Sequence, residues 1–239
     1  MQKKYRKLLF DLDNTLVDDD ENRRYAITQI LIERKEKVTT KKIESFIKID
    51  NQFWKNRAEG KIKDPYPFKN NAEKTKWIRA QRFLNFFNDI SFEDGVEINQ
   101  KYINYLNKNI VPIKNAQKIL QYLYQKQYEI YIITNGPIMA VNNKLSKINA
   151  TEYIKGTFTA EEAGHMKPHH EFFEKFFSLI NTYKTEDMLI IGDELEKDVF
   201  GGIKNGIDTC WFNMNKIVNN TNFKPTYEIN NLIELKNIL

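Results

Sequence analysis

Cysteine is almost absent from this chain, which has Cys210 as its single cysteine among 239 residues. One thiol cannot close a disulfide within the chain, and no Cys/His cluster has the spacing of zinc ligands. We therefore expect a protein of a reducing compartment. Cys210 lies in an apolar segment, and we interpret it as a small core residue.

Long hydrophobic runs are also missing, and no apolar stretch approaches the length of a membrane span. The basic N-terminus, residues 1–7, is followed by an apolar stretch that Asp11 and Asp13 interrupt. These carboxylates argue against the hydrophobic region of a signal peptide. The sequence thus predicts a cytoplasmic protein without a membrane partner.

A strong excess of one charge is lacking too, since 37 basic residues face 32 acidic ones and the net charge is +5. The basic residues are spread along the chain, whereas nucleic-acid binders usually concentrate them. A mildly basic surface suits small anionic substrates equally well. We therefore expect no nucleic-acid partner.

The chain does have ample material for a packed core: 41% hydrophobic residues, with 16 Phe, 12 Tyr and 3 Trp. This composition excludes a disordered chain. The length fits one α/β domain, or a core domain that carries a smaller inserted one.

The hydrophobic pattern changes twice along the chain. Residues 7–11 form a short apolar run that ends in acidic and turn-forming residues, which predicts a buried strand. From about residue 20 to 110 the apolar spacing is helical, with one loop at residues 60–71 where Pro65 and Pro67 break helix. After Pro112 we predict strands at 129–134, 156–159, 188–192 and 208–212, and helices at 115–126, 138–148, 170–180 and 198–205. Repeated strand–helix units predict a right-handed, parallel, three-layer α/β fold, interrupted after its first strand by an all-helical segment.

Four polar motifs lie where predicted strands end. They are Asp11-Leu12-Asp13-Asn14-Thr15, Thr134-Asn135-Gly136, Lys167-Pro168, and Gly192-Asp193 followed by Asp198. Each motif alone has a structural explanation, such as an acidic loop, an Asn-Gly turn or a capped helix. The carboxyl ends of parallel strands share one edge of a sheet, where α/β folds place ligands. The occurrence of all four in this position favours a catalytic site.

The first motif offers two carboxylates with different tasks. Asp11 and Asp13 are two residues apart, so one can face a phosphorus atom while the other reaches the leaving group. Asp193 and Asp198 add two more carboxylates, and four together would repel one another without a cation. Carboxylate oxygens suit Mg²⁺. The sequence predicts a magnesium site beside a nucleophile and an acid/base.

The other two motifs offer groups that can hold phosphate. Thr134 has a hydroxyl, and the backbone amides near Asn135 and Gly136 lie at a loop that leads into a predicted helix. Lys167 supplies a positive point charge.

In order and spacing, these motifs resemble the haloacid dehalogenase-like hydrolase superfamily, in which an Asp-x-Asp nucleophile loop is followed by a Thr or Ser, a Lys and an acidic motif. The resemblance implies a Rossmann-like, three-layer parallel sheet core with an all-helical cap inserted after the first strand. It divides the chain into a core domain of residues 1–17 and 111–239 and a cap domain of residues 18–110.

The resemblance also implies a role for each site residue. Asp11 would be the nucleophile and a Mg²⁺ ligand, while Asp13 would be the general acid/base and give its backbone carbonyl to the metal. Asp193 would be a further metal ligand. Asp198 would serve the metal directly, through water, or by orienting Lys167. The implied phosphate-binding residues are Thr134, Asn135 and Lys167.

The superfamily contains dehalogenases, mutases, phosphonatases and ion pumps, so membership alone does not fix the reaction. Asp13 favours phosphoryl transfer, because an ester oxygen needs an acid there and dehalogenation does not. Further stretches resemble the pyrimidine-type 5′-nucleotidases of the superfamily: 133–136, 192–203, 209–213, 225–227 and, in the cap, 53–54. We expect a Mg²⁺-dependent phosphatase of nucleoside 5′-monophosphates with an aspartyl-phosphate on Asp11, acting as a monomer or homodimer.

Two alternatives stay open. The first is a phosphatase or phosphomutase that acts on sugar phosphates or another small metabolite. The second, from another class, is a non-catalytic module that holds a phosphorylated ligand without turnover. The full set of candidate catalytic residues disfavours the second alternative.

Overall fold

The computed structural model describes residues 4–239, without the side chain of Ala58; Met1, Gln2 and Lys3 of the basic N-terminus lie outside the described residues. The chain forms two compact units. One comprises the described residues up to Asp19 together with Ile110–Leu239, and the other comprises Asp20–Asn109. The assignment of residues 1–17 and 111–239 as a core domain, and of 18–110 as its cap, stays a proposal.

The first unit contains a six-stranded sheet in which all neighbouring strands are parallel, in the order β3-β2-β1-β4-β5-β6. The strands are β1 (Lys7–Phe10), β2 (Glu129–Thr134), β3 (Gly156–Thr159), β4 (Met188–Gly192), β5 (Asp208–Phe212) and β6 (Tyr227–Ile229). The predictions of the first five strands are confirmed. The pattern missed β6 because three residues at the sheet edge, with Glu228 exposed, make no apolar run.

The helices follow the predicted spacing in most places. They are α1 (Asp19–Glu33), α2 (Thr40–Ala58), α3 (Asn71–Phe86), α4 (Phe92–Lys108), α5 (Ala116–Gln125), α6 (Ile138–Lys147), α7 (Ala160–Ala163), α8 (His170–Leu179) and α9 (Gly201–Lys204). The helix predicted at residues 198–205 is instead a π-helical segment, Leu195–Phe200, that runs into α9. In the part of the chain that the structure describes, no helix combines the length and apolar character that a membrane crossing requires.

Both faces of the sheet are buried under apolar side chains. Successive side chains of a strand point to opposite faces, so one strand contributes to both clusters. In β1, Leu8 and Phe10 join one hydrophobic cluster, while Leu9 joins another. The first cluster includes apolar residues of α5 and α6, and the second includes four phenylalanines of α8. The predicted three-layer α/β fold is confirmed.

The regular elements of the second unit, residues 20–109, are helices, as the apolar spacing predicts, and the proline-containing loop lies between α2 and α3. A buried ion pair joins its helices. Arg82 on α3 donates to Asp50 on α2 at 3.1 Å and to Asn99 on α4 at 2.7 Å. Arg23 on α1 donates to the same Asp50 at 2.6 Å. These charges are buried but paired, so the ion pairs offset part of the cost of burial and join the four helices at defined positions.

Candidate active site

The site lies at the carboxyl edge of the sheet, around the central strand β1. Phe10, the last residue of β1, pairs with Ile132 of β2 on one side and Ile191 of β4 on the other. The strand order reverses between β1 and β4, and such switch points form ligand crevices in open α/β sheets. Asp11 follows at once, and its backbone N–H donates to the Ile191 carbonyl at 2.9 Å.

A compact turn after β1 presents the Asp-x-Asp motif. The Leu12 carbonyl accepts hydrogen bonds from the N–H groups of Leu16 and Val17, at 2.9 and 3.0 Å. Asn14 adopts the left-handed region, φ 58°, which asparagine tolerates better than most residues. Leu12 is buried in the first hydrophobic cluster of the sheet, which also contains Leu8 and Phe10. Because side chains alternate along extended chain, this burial directs its neighbours Asp11 and Asp13 away from the cluster.

Lys167 joins two of the predicted motifs. Its Nζ donates to Asp11 Oδ1 and to Asp198 Oδ1, both at 2.7 Å, and to the Ile133 carbonyl at 2.8 Å. These bonds account for the three protons of an ammonium. A phosphate oxygen would have to share one of these three protons with its present acceptor. The contacts of Lys167 with both carboxylates are observed, and its phosphate role stays a prediction.

The electrostatics of this cluster are dominated by burial. Burial raises the pKa of Asp11; Lys167 opposes the rise and the Asp198 carboxylate adds to it. Burial also raises the pKa of Asp193, and the nearby Asp11 and Asp198 carboxylates raise it further. Burial alone would lower the pKa of Lys167, but Asp11 and Asp198 raise it above its ordinary value. One firmly charged ammonium thus faces several crowded carboxyl groups.

This crowding fits a divalent cation. Asp11, Asp193 and Asp198 each offer one carboxylate oxygen, and the three oxygens lie within 4.8 Å of one another. Hard oxygen donors are what Mg²⁺ prefers, and its charge would relieve the repulsion that burial makes costly. The predicted metal set therefore comes together in these three residues. The carboxylate of Asp13 is directed elsewhere, and its predicted contribution is a backbone carbonyl.

Asp198 is fixed by its surroundings as well as by Lys167. Its Oδ2 accepts the Glu194 N–H at 3.1 Å. The Glu194 carbonyl in turn accepts from the N–H groups of Asp198 and Val199, and the second of these bonds widens the turn into the π-helical segment. A Cβ atom at Gly192 would lie 2.3 Å from the Asp198 carboxyl group. Gly192 is therefore the residue that leaves room for Asp198.

Gly192→Ala is expected to lower the free energy of unfolding by about 1–3 kcal/mol, because the added methyl group displaces the Asp198 carboxylate from a packed site. Chemical denaturation of the two proteins measures this loss. Gly156→Ala on β3 is the matched control, since a Cβ there meets only the Tyr131 ring at 3.3 Å. Equal stability of Gly192→Ala and the wild type would contradict the packing argument.

The second motif, residues 134–136, contacts the segment that contains Lys167. The Asn135 side chain donates to the Lys167 carbonyl at 3.1 Å and accepts from the Lys167 N–H at 2.8 Å. Thr134 Oγ1 accepts the Gly136 N–H at 3.1 Å. The Asn135 amide thus holds the backbone of Lys167, beside the cis peptide bond to Pro168. The phosphate roles of Thr134 and of the Asn135 backbone N–H stay predictions.

Two residues that received no role from the sequence hold Asp193. The buried Trp211 donates its Nε1 proton to the Asp193 carbonyl at 2.8 Å. Thr15 Oγ1 lies 3.5 Å from Asp193 Oδ1. A tryptophan in a buried strand needs an acceptor for its N–H, which is the signal that could have pointed to a partner at the strand end.

A lysine that the sequence analysis missed contacts Asp13. Lys144 of α6 forms an ion pair with Asp13 Oδ1, and it lies 2.8 Å from Asp19 Oδ1. Val141 and Leu145, on the same side of this helix, are buried. A lysine at a position where the helical spacing places an apolar residue is the signal that could have found it.

The sequence was compared with models of known protein families. A family model described as haloacid dehalogenase-like hydrolase matches residues 8–212. This chain belongs to the haloacid dehalogenase-like hydrolase family. The match runs from β1 to the end of β5 and so spans all four polar motifs.

Relatives in this family match along most of the chain. The HAD-hydrolase YfnB of Bacillus subtilis is 32% identical over 99% of this chain and 96% of that protein. The pyrimidine 5′-nucleotidase PynA of Streptococcus pneumoniae is 31% identical over 98% of this chain and 97% of that protein. The pyrimidine 5′-nucleotidase YjjG of Escherichia coli is 26% identical over 72% of this chain and 76% of that protein. The crystal structure of YfnB bound to magnesium superposes with a TM-score of 0.85 and covers 99% of both chains.

Proposed function

We propose that this hydrolase is a magnesium-dependent phosphatase of small phosphate monoesters, with nucleoside 5′-monophosphates as its preferred substrates. The observation that carries the proposal is the cluster of Asp11, Asp193 and Asp198, two of which bind the Lys167 ammonium, with Asp13 two residues from Asp11. The similarity to PynA and YjjG supports the nucleotide substrate.

Asp11 is the nucleophile in the first step. A carboxylate oxygen of Asp11 attacks phosphorus, the bond between phosphorus and the ester oxygen breaks, and an aspartyl-phosphate forms. Asp13 gives its proton to the departing ester oxygen, which leaves as an alcohol. Lys167 holds the Asp11 carboxylate for this attack through its contact with Oδ1.

The second step returns the site to its starting state. Asp13, now a carboxylate, accepts a proton from water, and the water oxygen attacks phosphorus. The bond between phosphorus and Asp11 breaks, which releases inorganic phosphate. Throughout, the Thr134 hydroxyl and the Asn135 backbone N–H hold phosphate oxygens.

Asp11, Asp193 and Asp198, with the Asp13 backbone carbonyl, would hold Mg²⁺. When bound, the ion supplies positive charge that offsets repulsion between the carboxylates and an anionic substrate and stabilises the transition state.

Asp13 also distinguishes phosphoryl transfer from dehalogenation. A halide leaves without a proton, whereas an alkoxide departing from phosphorus needs an acid. Burial raises the pKa of the Asp13 carboxyl group and so favours its protonated form, and Lys144 opposes part of this rise.

The substrate proposal is tested with a panel of pyrimidine and purine nucleoside 5′-monophosphates and sugar phosphates in Mg²⁺, read by phosphate release. We expect kcat/KM for the best nucleotide to exceed that for every sugar phosphate by about tenfold or more, the range that pocket contacts commonly supply. Dominant hydrolysis of sugar phosphates would overturn the nucleotide assignment and leave the phosphatase mechanism standing. Isomer interconversion without phosphate release would identify a mutase, and inertness toward all monoesters would refute the phosphatase.

A further inference from the structure

We propose that Lys144 is a positioning residue for Asp13, holding one carboxylate oxygen so that the other faces the substrate's ester oxygen. This inference rests on the proposed role of Asp13 as general acid/base. It adds to the site a residue from α6 that none of the four sequence motifs contains.

The position of Lys144 on α6 explains how it reaches the site. This helix begins at Ile138, directly after the loop that closes β2, so its first turn lies at the carboxyl edge of the sheet. Side chains on a helix tilt toward its N-terminus. A long side chain from residue 144, in the last turn, therefore extends back toward the edge where Asp13 lies.

Lys144 is largely buried, unlike a surface lysine that serves only solubility. Its side chain is 14% exposed and its helix neighbours Val141 and Leu145 are buried. An unpaired ammonium there would be costly, and an aliphatic side chain would fill the position without that cost. Two carboxylates, Asp13 and Asp19, compensate the charge. The ion pair thus accounts for a lysine at an otherwise apolar position.

The two oxygens of Asp13 have different surroundings. Oδ1 contacts the Lys144 ammonium. Oδ2 is close to the Thr134–Gly136 loop, since a Cβ built on Gly136 would lie 3.7 Å from it. This loop is where we place the substrate phosphate. Lys144 therefore binds Oδ1 and leaves Oδ2, the oxygen beside this loop, for proton transfer.

The ion pair with Lys144 limits the rotation of the Asp13 carboxylate about its terminal torsion. The terminal torsion of aspartate has a broad, roughly two-fold energy profile, so an unpartnered carboxylate samples many orientations. Lys144 restricts Asp13, and Asp19, at the start of α1, restricts Lys144 in turn. A displacement of about 1 Å in a reacting group can cost on the order of a hundredfold in rate. The triad of Asp13, Lys144 and Asp19 supplies this restriction.

The test compares Lys144→Met with the wild type on a series of phenyl phosphates whose leaving groups range from weakly to strongly basic. The parameter is kcat/KM, which reports events up to the first departure of the leaving group. A weakly basic nitrophenolate leaves without a proton, so its kcat/KM should change little. For the most basic leaving group we expect a loss of roughly 10- to 100-fold, because a misplaced acid no longer protonates it.

Two further variants control for structural effects. Lys147→Met removes an exposed lysine from the same helix and should match the wild type on every substrate. Lys144→Arg keeps a cation and should recover most of the loss. If Lys144→Met does not fold, as judged by its thermal transition, Lys144→Gln replaces it in the series with the same expectation.

The outcomes separate this inference from the proposed function. Asp13→Asn should show the same dependence on the leaving group with a larger loss. If Asp13→Asn lacks that dependence, the acid role of Asp13 fails and the inference fails with it. If Asp13→Asn shows the dependence and Lys144→Met loses activity equally on all substrates, Lys144 is merely structural and only the inference is overturned.

Discussion

An Asp11→Asn variant is expected to lose phosphate release by roughly 10⁴-fold or more, because an amide oxygen does not form the covalent intermediate that a carboxylate forms. Asp198 does not take over readily, because both of its carboxylate oxygens are engaged, Oδ1 by Lys167 and Oδ2 by the Glu194 N–H. Phosphate release from the best nucleotide measures the loss.

The same variant should remain folded. Asparagine has the shape of aspartate, and Lys167 keeps two acceptors, Asp198 Oδ1 and the Ile133 carbonyl. Its thermal transition should therefore lie near that of the wild type. Asp89→Asn, at an exposed position of the second unit, is the matched control and should retain full activity. Undiminished turnover by Asp11→Asn would contradict the assignment of Asp11 as the nucleophile.

Removal of magnesium has the second largest expected effect. Chelation with EDTA should reduce phosphate release by about 10³-fold or more, and excess Mg²⁺ should restore it, because the crowded carboxylates otherwise repel an anionic substrate. Hydrolysis that continues undiminished in EDTA would count against the metal function of the Asp11, Asp193 and Asp198 cluster.

Binding of the ion can be measured without turnover. A ligand that binds only the folded state raises the thermal transition temperature, so Mg²⁺ should stabilise the wild-type protein. Asp193→Asn removes one of the three clustered carboxylates and should abolish most of that shift. Asp89→Asn should keep it. An Mg²⁺-dependent shift in Asp193→Asn equal to that of the wild type would exclude Asp193 as a ligand.

The parts of the fold that could be predicted are those with strong local signals. Parallel strands covered on both faces are continuous apolar runs, which is why β1, β2 and β4 were found to within a residue. Parallel strands share one carboxyl edge, so the convergence of Asp11, Lys167 and Asp198 could be expected from the positions of their motifs after predicted strands. The observed contacts of Lys167 with both carboxylates are consistent with that expectation.

The parts that could not be predicted depend on contacts between side chains distant in sequence. Asp13 and Lys144 are 131 positions apart, and only the packing of α6 against the sheet brings them together. The Asn135 side-chain amide binds the Lys167 backbone, 32 positions along the chain, and the loop sequence alone does not indicate this contact. The π-helical segment results from one additional bond to the Glu194 carbonyl, which leaves no trace in hydrophobic spacing.

The positions of the polar motifs at strand ends also explain why the family could be inferred from the sequence and the substrate could not. The residues that do chemistry lie at strand ends, where position in the sheet fixes their neighbours. Substrate preference depends on pockets shaped by many side chains, and similar folds host many substrates. Similarity to the nucleotidase PynA along 98% of the chain therefore supports the nucleotide proposal, which the substrate panel tests.

The most direct test of the central claim is chemical trapping of the intermediate. Borohydride reduces an acyl phosphate to an alcohol but leaves a free carboxylate intact, so quenching the enzyme during turnover with borohydride should convert Asp11 to homoserine. Peptide mass spectrometry locates the change. We predict modification at Asp11 that requires both substrate and Mg²⁺ and is absent in Asp11→Asn. Steady phosphate release with no modification at Asp11, or with modification at Asp193 or Asp198 instead, would contradict the account.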